Sequence, residues 1–356
     1  MNYKHLFLLF SIAFFLNSCE DDQYCCPMPE LEAEFQSGIF VLNEGNFGSS
    51  NASVSFINEE EQVNSASVFA NINGAPLGDT AQSIELHENI AAVVVNVSNK
   101  IEIVNRFTFE SLGTISSNLS NPRFAEIIGG NLYVSNWGDG MDPNDDFVAV
   151  FSLLDFSFKQ AIPVAEGPEK LIEHAGLLYV AHKGGFSFNN IVSVINGTSN
   201  ELAKEIEVGH IPNSIVVNGN DLWVLSSGKP AYADEETAGE LTRIDLTTNG
   251  VVENYKFPDN TIHPNNLRFS NGAVYLTINK SVYKYNIGGD LPITPEFTLE
   301  EVSVLYGFEI VENKIYVASP RVDFTGNGDL LIYDLNDGSL LDRYTTGINP
   351  NGIYFN

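Results

Sequence analysis

Asn349-Pro350-Asn351-Gly352-Ile353-Tyr354-Phe355-Asn356, the last eight residues of the 356-residue sequence, read as the first strand of a repeating unit, opened by the turn signal that starts each such unit. The remainder of that unit stands at the other end of the folded region, in residues 38–42, 52–57 and 63–69. A strand at one end that completes a sheet begun at the other closes a ring of sheets. Closure removes the strand edges that an open array would offer to neighbouring chains. Burying Ile353 and Phe355 at such a seam contributes roughly 1.5–3 kcal/mol each, a large share of a typical net stability of about 5–15 kcal/mol.

The repeat supports that reading. Turn-plus-proline signals recur at Pro122, Pro168, Pro212, Pro264 and Pro350, with spacings of 46, 44, 52 and 86 residues. The last spacing is a double step, which requires a unit opening near Tyr306-Gly307; one step before Pro122 lies Asp79-Thr80-Ala81. Seven units with a period near 45 residues match four-stranded propeller blades. Within the units, Leu132-Tyr133-Val134, Leu178-Tyr179-Val180, Leu222-Trp223-Val224, Val274-Tyr275-Leu276 and Ile315-Tyr316-Val317 repeat as second strands, their aromatics packing between blades. No stretch of helical length carries a 3.6-residue period. The fold class is all-β: a seven-bladed β-propeller of four-stranded blades, over residues 38–356.

Ahead of it, residues 1–18 have the proportions of a signal peptide, with Lys4 and His5 before the apolar run 6–16, too short to span a bilayer. Leu16-Asn17-Ser18-Cys19 resembles a bacterial lipoprotein signal, with Cys19 as the lipidated residue. Glu20-Asp21-Asp22 follow, and residues 19–37 read as an acidic, proline-bearing tether that also holds Cys25 and Cys26. The propeller region has no cysteine, so a core alone must hold an exported domain. A net charge of −29, from 17 basic and 46 acidic residues, excludes nucleic-acid binding and disfavours anionic lipid surfaces. The expected membrane link is the lipid anchor only.

The loops between second and third strands are short in the second and sixth blades and long in the first, third, fourth, fifth and seventh. In a propeller these loops share one rim with the connections into each new blade, so five extensions on one rim mark it as functional. The candidate ligand-binding residues on these loops are Asn43, Asn46, Phe47, Asn136, Trp137, His182, Lys183, Phe186, Phe188, Tyr232, Arg321 and Phe324. Aromatic faces ringed by amides suit a sizeable, rigid ligand bearing amide or hydroxyl groups. The simpler reading of each Asn is a turn residue. Asp142, Asn144 and Asp146 carry the alternating oxygen spacing of a calcium loop and are candidate ligands for a structural Ca²⁺, although the glycine and distal glutamate of an EF-hand are missing. His182, His210 and His263 map to the same rim without a fixed mutual distance.

Gly38-Ile39-Phe40-Val41-Leu42-Asn43-Glu44-Gly45-Asn46-Phe47-Gly48, followed by Asn51-Ala52-Ser53-Val54, resembles the opening of a YncE-like propeller family of surface lipoproteins in Bacteroidota that includes the BtuG proteins. The resemblance implies an outer-membrane, cell-surface lipoprotein that captures a corrinoid such as vitamin B12. It would pass this ligand to a TonB-dependent transporter of the BtuB type, with no chemistry and no required cofactor. It transfers no ligand contact residue by residue. Other readings of the same rim are capture of a glycan or metal chelate, a metal-dependent lactonase-type enzyme, and an adhesion protein binding another protein.

Overall fold

The residue that opens a blade turns the chain sharply, and its backbone shows how. Asn121, Gly167, Ile211 and Asn349, each directly before a proline, lie in the left-handed region (φ 51°, 68°, 58° and 54°), as does Thr80 before Ala81 (φ 57°). Asn and Gly adopt this conformation at little cost; Ile211, β-branched, does so under strain. At Gly167 a side chain would also collide with the backbone of Gly184, where the loop of the fourth blade folds over the blade opening.

The computed structural model describes residues 34–60 and 63–356. These form seven four-stranded antiparallel sheets, six of them running in chain order from an inner to an outer strand. The inner strands of blades two to seven are Ala81–His87, Pro122–Ile128, Pro168–His174, Pro212–Asn218, Asn265–Ser270 and Gly307–Val311. Blade one takes its inner strand, Pro350–Phe355, from the C-terminus, and this pairs with Ile39–Asn43 in a register that sets Ile353 opposite Val41 and Phe355 opposite Ile39. Ile353 is buried, while Phe355 is half-buried with its ring edge against Tyr316 at 4.9 Å. Asn356 completes the seam: its backbone N–H donates to Gly38 O (3.0 Å), its side-chain amide donates to Phe35 O, and it accepts from Arg106 Nε (2.6 Å).

Blades are stapled by the second-strand aromatics. Tyr133 donates to Asn200 Oδ1 in the next blade's outer turn (2.5 Å), and Tyr179 to Asn249 Oδ1 (2.6 Å). Tyr316 donates to Glu59 of blade one (3.0 Å), and Phe40 packs on Phe109 of blade two at 5.0 Å. The same register position thus bridges to the following blade around the ring.

Two segments differ from expectation. Residues 63–69 do not continue as one strand: Val63–Ser65 pairs, Ser67 turns left-handed (φ 56°), and a short helix, Val68–Asn73, buries Val68 and Phe69 in the core between blades one and two. Six residues are too few for a helical period to show in sequence. Phe35, placed by composition in the tether, is buried against Phe40, Phe56 and Phe109. The signal segment, Cys19 and its lipidation, and Cys25 and Cys26 lie outside the described residues. Among those described, no helix is long and apolar enough to cross a membrane.

Deleting residues 350–356 would remove the inner strand of blade one and expose the Ile39–Asn43 edge. The expected result is loss of a cooperative thermal transition by circular dichroism, whereas Ile353→Ala keeps the transition and costs about 2–4 kcal/mol.

Candidate functional site

The inner strands surround a cavity of about 1010 Å³ that opens on the rim bearing the long loops. Irregular pairing decides which side chains face it. In blade four, Pro168 pairs with His182 and Leu171 with Val180, so Glu169 and Lys170 together oppose one residue, and both line the cavity. A regular strand would turn one of the two away. Blade three does the same with Arg123 and Phe124; in blade six the register shifts between Asn265 and Arg268, and Asn265, Asn266 and Arg268 line the cavity.

At the mouth, Arg123 donates from Nε and Nη2 to the two oxygens of Glu169, both at 2.9 Å, and Lys183 Nζ lies 3.1 Å from Glu169 Oε1. Burial by itself would push the Glu169 carboxyl up, but the Arg123 and Lys183 cations overcome it and hold the group at about 2. The Arg123 guanidinium covers the Trp137 ring at 4.1 Å, with Lys183 Nζ 5.4 Å from that ring. Across the mouth, Glu44 accepts from Tyr306 Oη (3.0 Å) and Asn351 Nδ2 (3.1 Å), and burial raises its carboxyl above the ordinary range despite these donors. Deeper, Arg268 holds Glu309 in a bidentate pair. Glu85 and Glu126 face the channel without a cation partner; burial pushes both carboxyls up, and their own carboxylate neighbours, Glu126 beside Glu85 and Glu173 beside Glu126, push further.

The loop residues divide into three groups. Phe47, Phe186 and Tyr232 stand 83%, 76% and 84% exposed. Phe324 is 42% exposed and sits edge-on to Tyr306 at 6.1 Å; Asn46 donates to its carbonyl (3.0 Å), which joins the loops of blades one and seven. Phe188 is half-buried beside Tyr232 at 6.1 Å, and Phe186 lies against Gly140 in the loop of blade three. Arg321 is exposed and paired with Asp323. These residues all lie on loops between second and third strands.

Asn43, Asn136 and His182 do not belong to a binding surface. All three are fully buried at the end of second strands. The Asn43 amide donates to Ser55 Oγ (3.1 Å) and accepts from Gly347 N–H (3.0 Å), and Asn136 accepts from Ser120 N–H (2.9 Å). His182 bonds through Nδ1 to Ala165 O (2.8 Å), and burial pushes its imidazole down to about 4. They satisfy backbone groups where the chain leaves the sheet. Trp137 is intermediate: its half-buried ring carries the Arg123 guanidinium, and its Nε1–H donates to Pro168 O (3.0 Å), so it ties blade three to blade four.

Asp142, Asn144 and Asp146 diverge. Asp142 accepts from the backbone and side-chain nitrogens of Asn144 (3.0 and 3.1 Å). Asp146 turns inward to accept from Gly167 N–H (3.2 Å), buried, with its carboxyl pushed up to about 7. His263 bonds Ser227 O and Glu236. Among the described residues, no cluster of three or more His, Cys, Asp or Glu has metal-binding geometry.

Raised carboxyls give a signed pH dependence. The stability from keeping Glu126 protonated is complete below its ordinary value of 4.5 and is lost as pH rises, because unfolding lets the group ionise in water. Glu126→Gln should therefore flatten the fall in Tm between pH 5 and 8 and raise Tm at pH 8; scanning calorimetry across that range checks it.

Solved structures similar to this chain show the same propeller fold. A quinonprotein alcohol dehydrogenase-like protein from Bacteroides thetaiotaomicron superposes with a TM-score of 0.66 at 14% identity, over 90% of this chain and 78% of that one. A functionally unknown protein from Desulfotomaculum acetoxidans gives 0.65 at 13%, over 90% and 98%. BamB from Moraxella catarrhalis gives 0.55 at 12%, over 90% and 88%. No curated protein matches the sequence. Residues 37–346 match the family described as a domain of unknown function, DUF5074, and the chain belongs to that family.

Proposed function

We propose that this protein is a non-catalytic capture protein, anchored at the cell surface through a lipid on Cys19, whose loop-bearing rim holds a corrinoid and presents it to a TonB-dependent outer-membrane transporter. The observation that carries this reading is the exposure of Phe47, Phe186, Tyr232 and Phe324 on one rim around the mouth of a cavity of about 1010 Å³. Large aromatic side chains so exposed gain little from the fold, and grouped on one rim beside a concavity they suit a broad, rigid ligand. The amides and paired ions at the mouth, among them Asn351, Glu44 and Arg123, match the amide fringe of a corrin ring. The resemblance of residues 38–54 points the same way. Arg123, Lys183 and Glu169 at the mouth are already engaged in ion pairs, an arrangement suited to holding a ligand rather than to proton transfer.

Titration calorimetry with cyanocobalamin tests the reading. Wild type should bind without turnover, and Phe47→Ala and Tyr232→Ala should each weaken binding about tenfold, a loss of about 1.4 kcal/mol. Both variants should keep the wild-type Tm, since Phe47 and Tyr232 are 83% and 84% exposed. A folded protein that gives no heat with several corrinoids overturns corrinoid capture.

A further inference from the structure

The cavity concentrates a scarce residue type. Five of the chain's 17 Lys and Arg residues line it: Arg123, Lys170, Lys183, Arg268 and Lys280. Arg123 and Lys183 share Glu169, and Arg268 is taken by Glu309. Lys170 is different. The irregular pairing of blade four turns it into the cavity beside Glu169, yet among the described residues no carboxylate or other acceptor pairs with its ammonium. The groups that act on it are Arg268, Glu309, Glu169 and Lys183, and both carboxylates are already committed to other cations. Burial, with Arg268 next, pushes the Lys170 ammonium down to about 8. Glu126, on the adjacent inner strand, is held towards its neutral form by burial and offers little compensation near neutral pH. A half-buried cation that lines a cavity with no carboxylate of its own is a place where a ligand's negative charge is favourable.

We propose that Lys170 is an anion-binding residue, and that the channel receives from the loop-bearing rim a compact oxyanion, a phosphate or a carboxylate, as the charge partner of its ammonium. The site goes beyond corrinoid capture and stands without it, because it is read from channel geometry and not from the rim aromatics. The oxyanion arrives either as a free ion or as part of a larger molecule, and the two differ in affinity for the same lysine.

Calorimetry and thermal shift at pH 7 and low salt, with inorganic phosphate, acetate and ribose 5-phosphate as probes, test it without any corrinoid. Phosphate should raise the wild-type Tm, and Lys170→Met should weaken phosphate binding at least tenfold, while Lys280→Met at the mouth stays within twofold. Without phosphate, Lys170→Met should keep or raise Tm; a lysine with a purely structural role would lower it. Tighter binding of ribose 5-phosphate than of phosphate assigns the anion to a larger ligand, and equal binding assigns it to the free ion. Folded wild type that binds none of the three probes, or Lys170→Met that binds them as wild type does, overturns the proposal.

Discussion

The pairing of Pro350–Phe355 with Ile39–Asn43 closes the ring and also builds the mouth of the cavity. Asn43, at the end of the paired segment, joins Ser53, Ser55 and Gly347 through one amide. The next residue, Glu44, is thereby held over the cavity against Tyr306 and Asn351, and Gly45 is fixed on both sides, its N–H to Ile348 O and its carbonyl to Asn349 Nδ2. Asn46 then bonds the loop of blade seven at Phe324. Closure and mouth geometry are therefore a single constraint. It also follows that the segment from Gly38 to Gly48, which carries the family resemblance, is in physical terms mostly closing machinery: it explains how the ring is sealed better than it explains what the rim holds.

The cavity's chemistry comes from a second device, repeated in blades two to six. A left-handed or proline-led turn brings the chain into the inner strand, and a pairing irregularity follows within two residues. Such an irregularity points consecutive side chains to the same side, so the inner wall gains polar groups that a regular strand would have turned into the packing between blades. The buried pairs Arg123–Glu169 and Arg268–Glu309 then cross between different blades. They are weak evidence for stability, because desolvation offsets much of the attraction, but they fix the angular relation of the blades around the channel.

The architecture was legible in the sequence because its signals are periodic: the prolines, the second-strand aromatics and the split unit at the two ends all survive in the fold. The rim was legible as loop length. The inner wall was not read, although a signal existed: the residues after each opening turn, Asn351, Gln82, Arg123, Glu169, Asn213 and Asn265, are polar in strands that would otherwise be apolar, which already marks a solvated channel. Which of their neighbours also face inward depends on the pairing irregularity, and no residue type announces it. Asn43, Asn136 and His182 were misplaced for the opposite reason. A polar residue at the end of a strand serves equally as a loop ligand or as a buried cap, and burial, which decides between them, is a property of the neighbouring blade. The helix Val68–Asn73 and buried Phe35 were missed because each is shorter than the pattern that would reveal it.

Charge distribution bears on the kind of cargo that would suit both rim and channel. The chain carries a net charge of −29, and its cavity sets five cations beside five glutamates, of which burial pushes Glu44, Glu85 and Glu126 towards the neutral form. At physiological ionic strength, screening over about 8 Å confines the attraction of those cations to the mouth, while the acidic surface repels a free anion on its approach. Long-range steering therefore works against small anions. A bulky ligand of low net charge meets no such barrier. Its apolar faces gain contact with Phe47, Phe186 and Tyr232 first, and any oxyanion it carries is then delivered to Lys170 at short range. Aromatic contact of this kind is non-directional; the Lys170 ammonium, a point charge at one place in the channel, favours entry of the ligand's anionic end. On this account the exposed rim and the uncompensated lysine are two halves of one selection, each weak against small molecules and effective only where both are engaged.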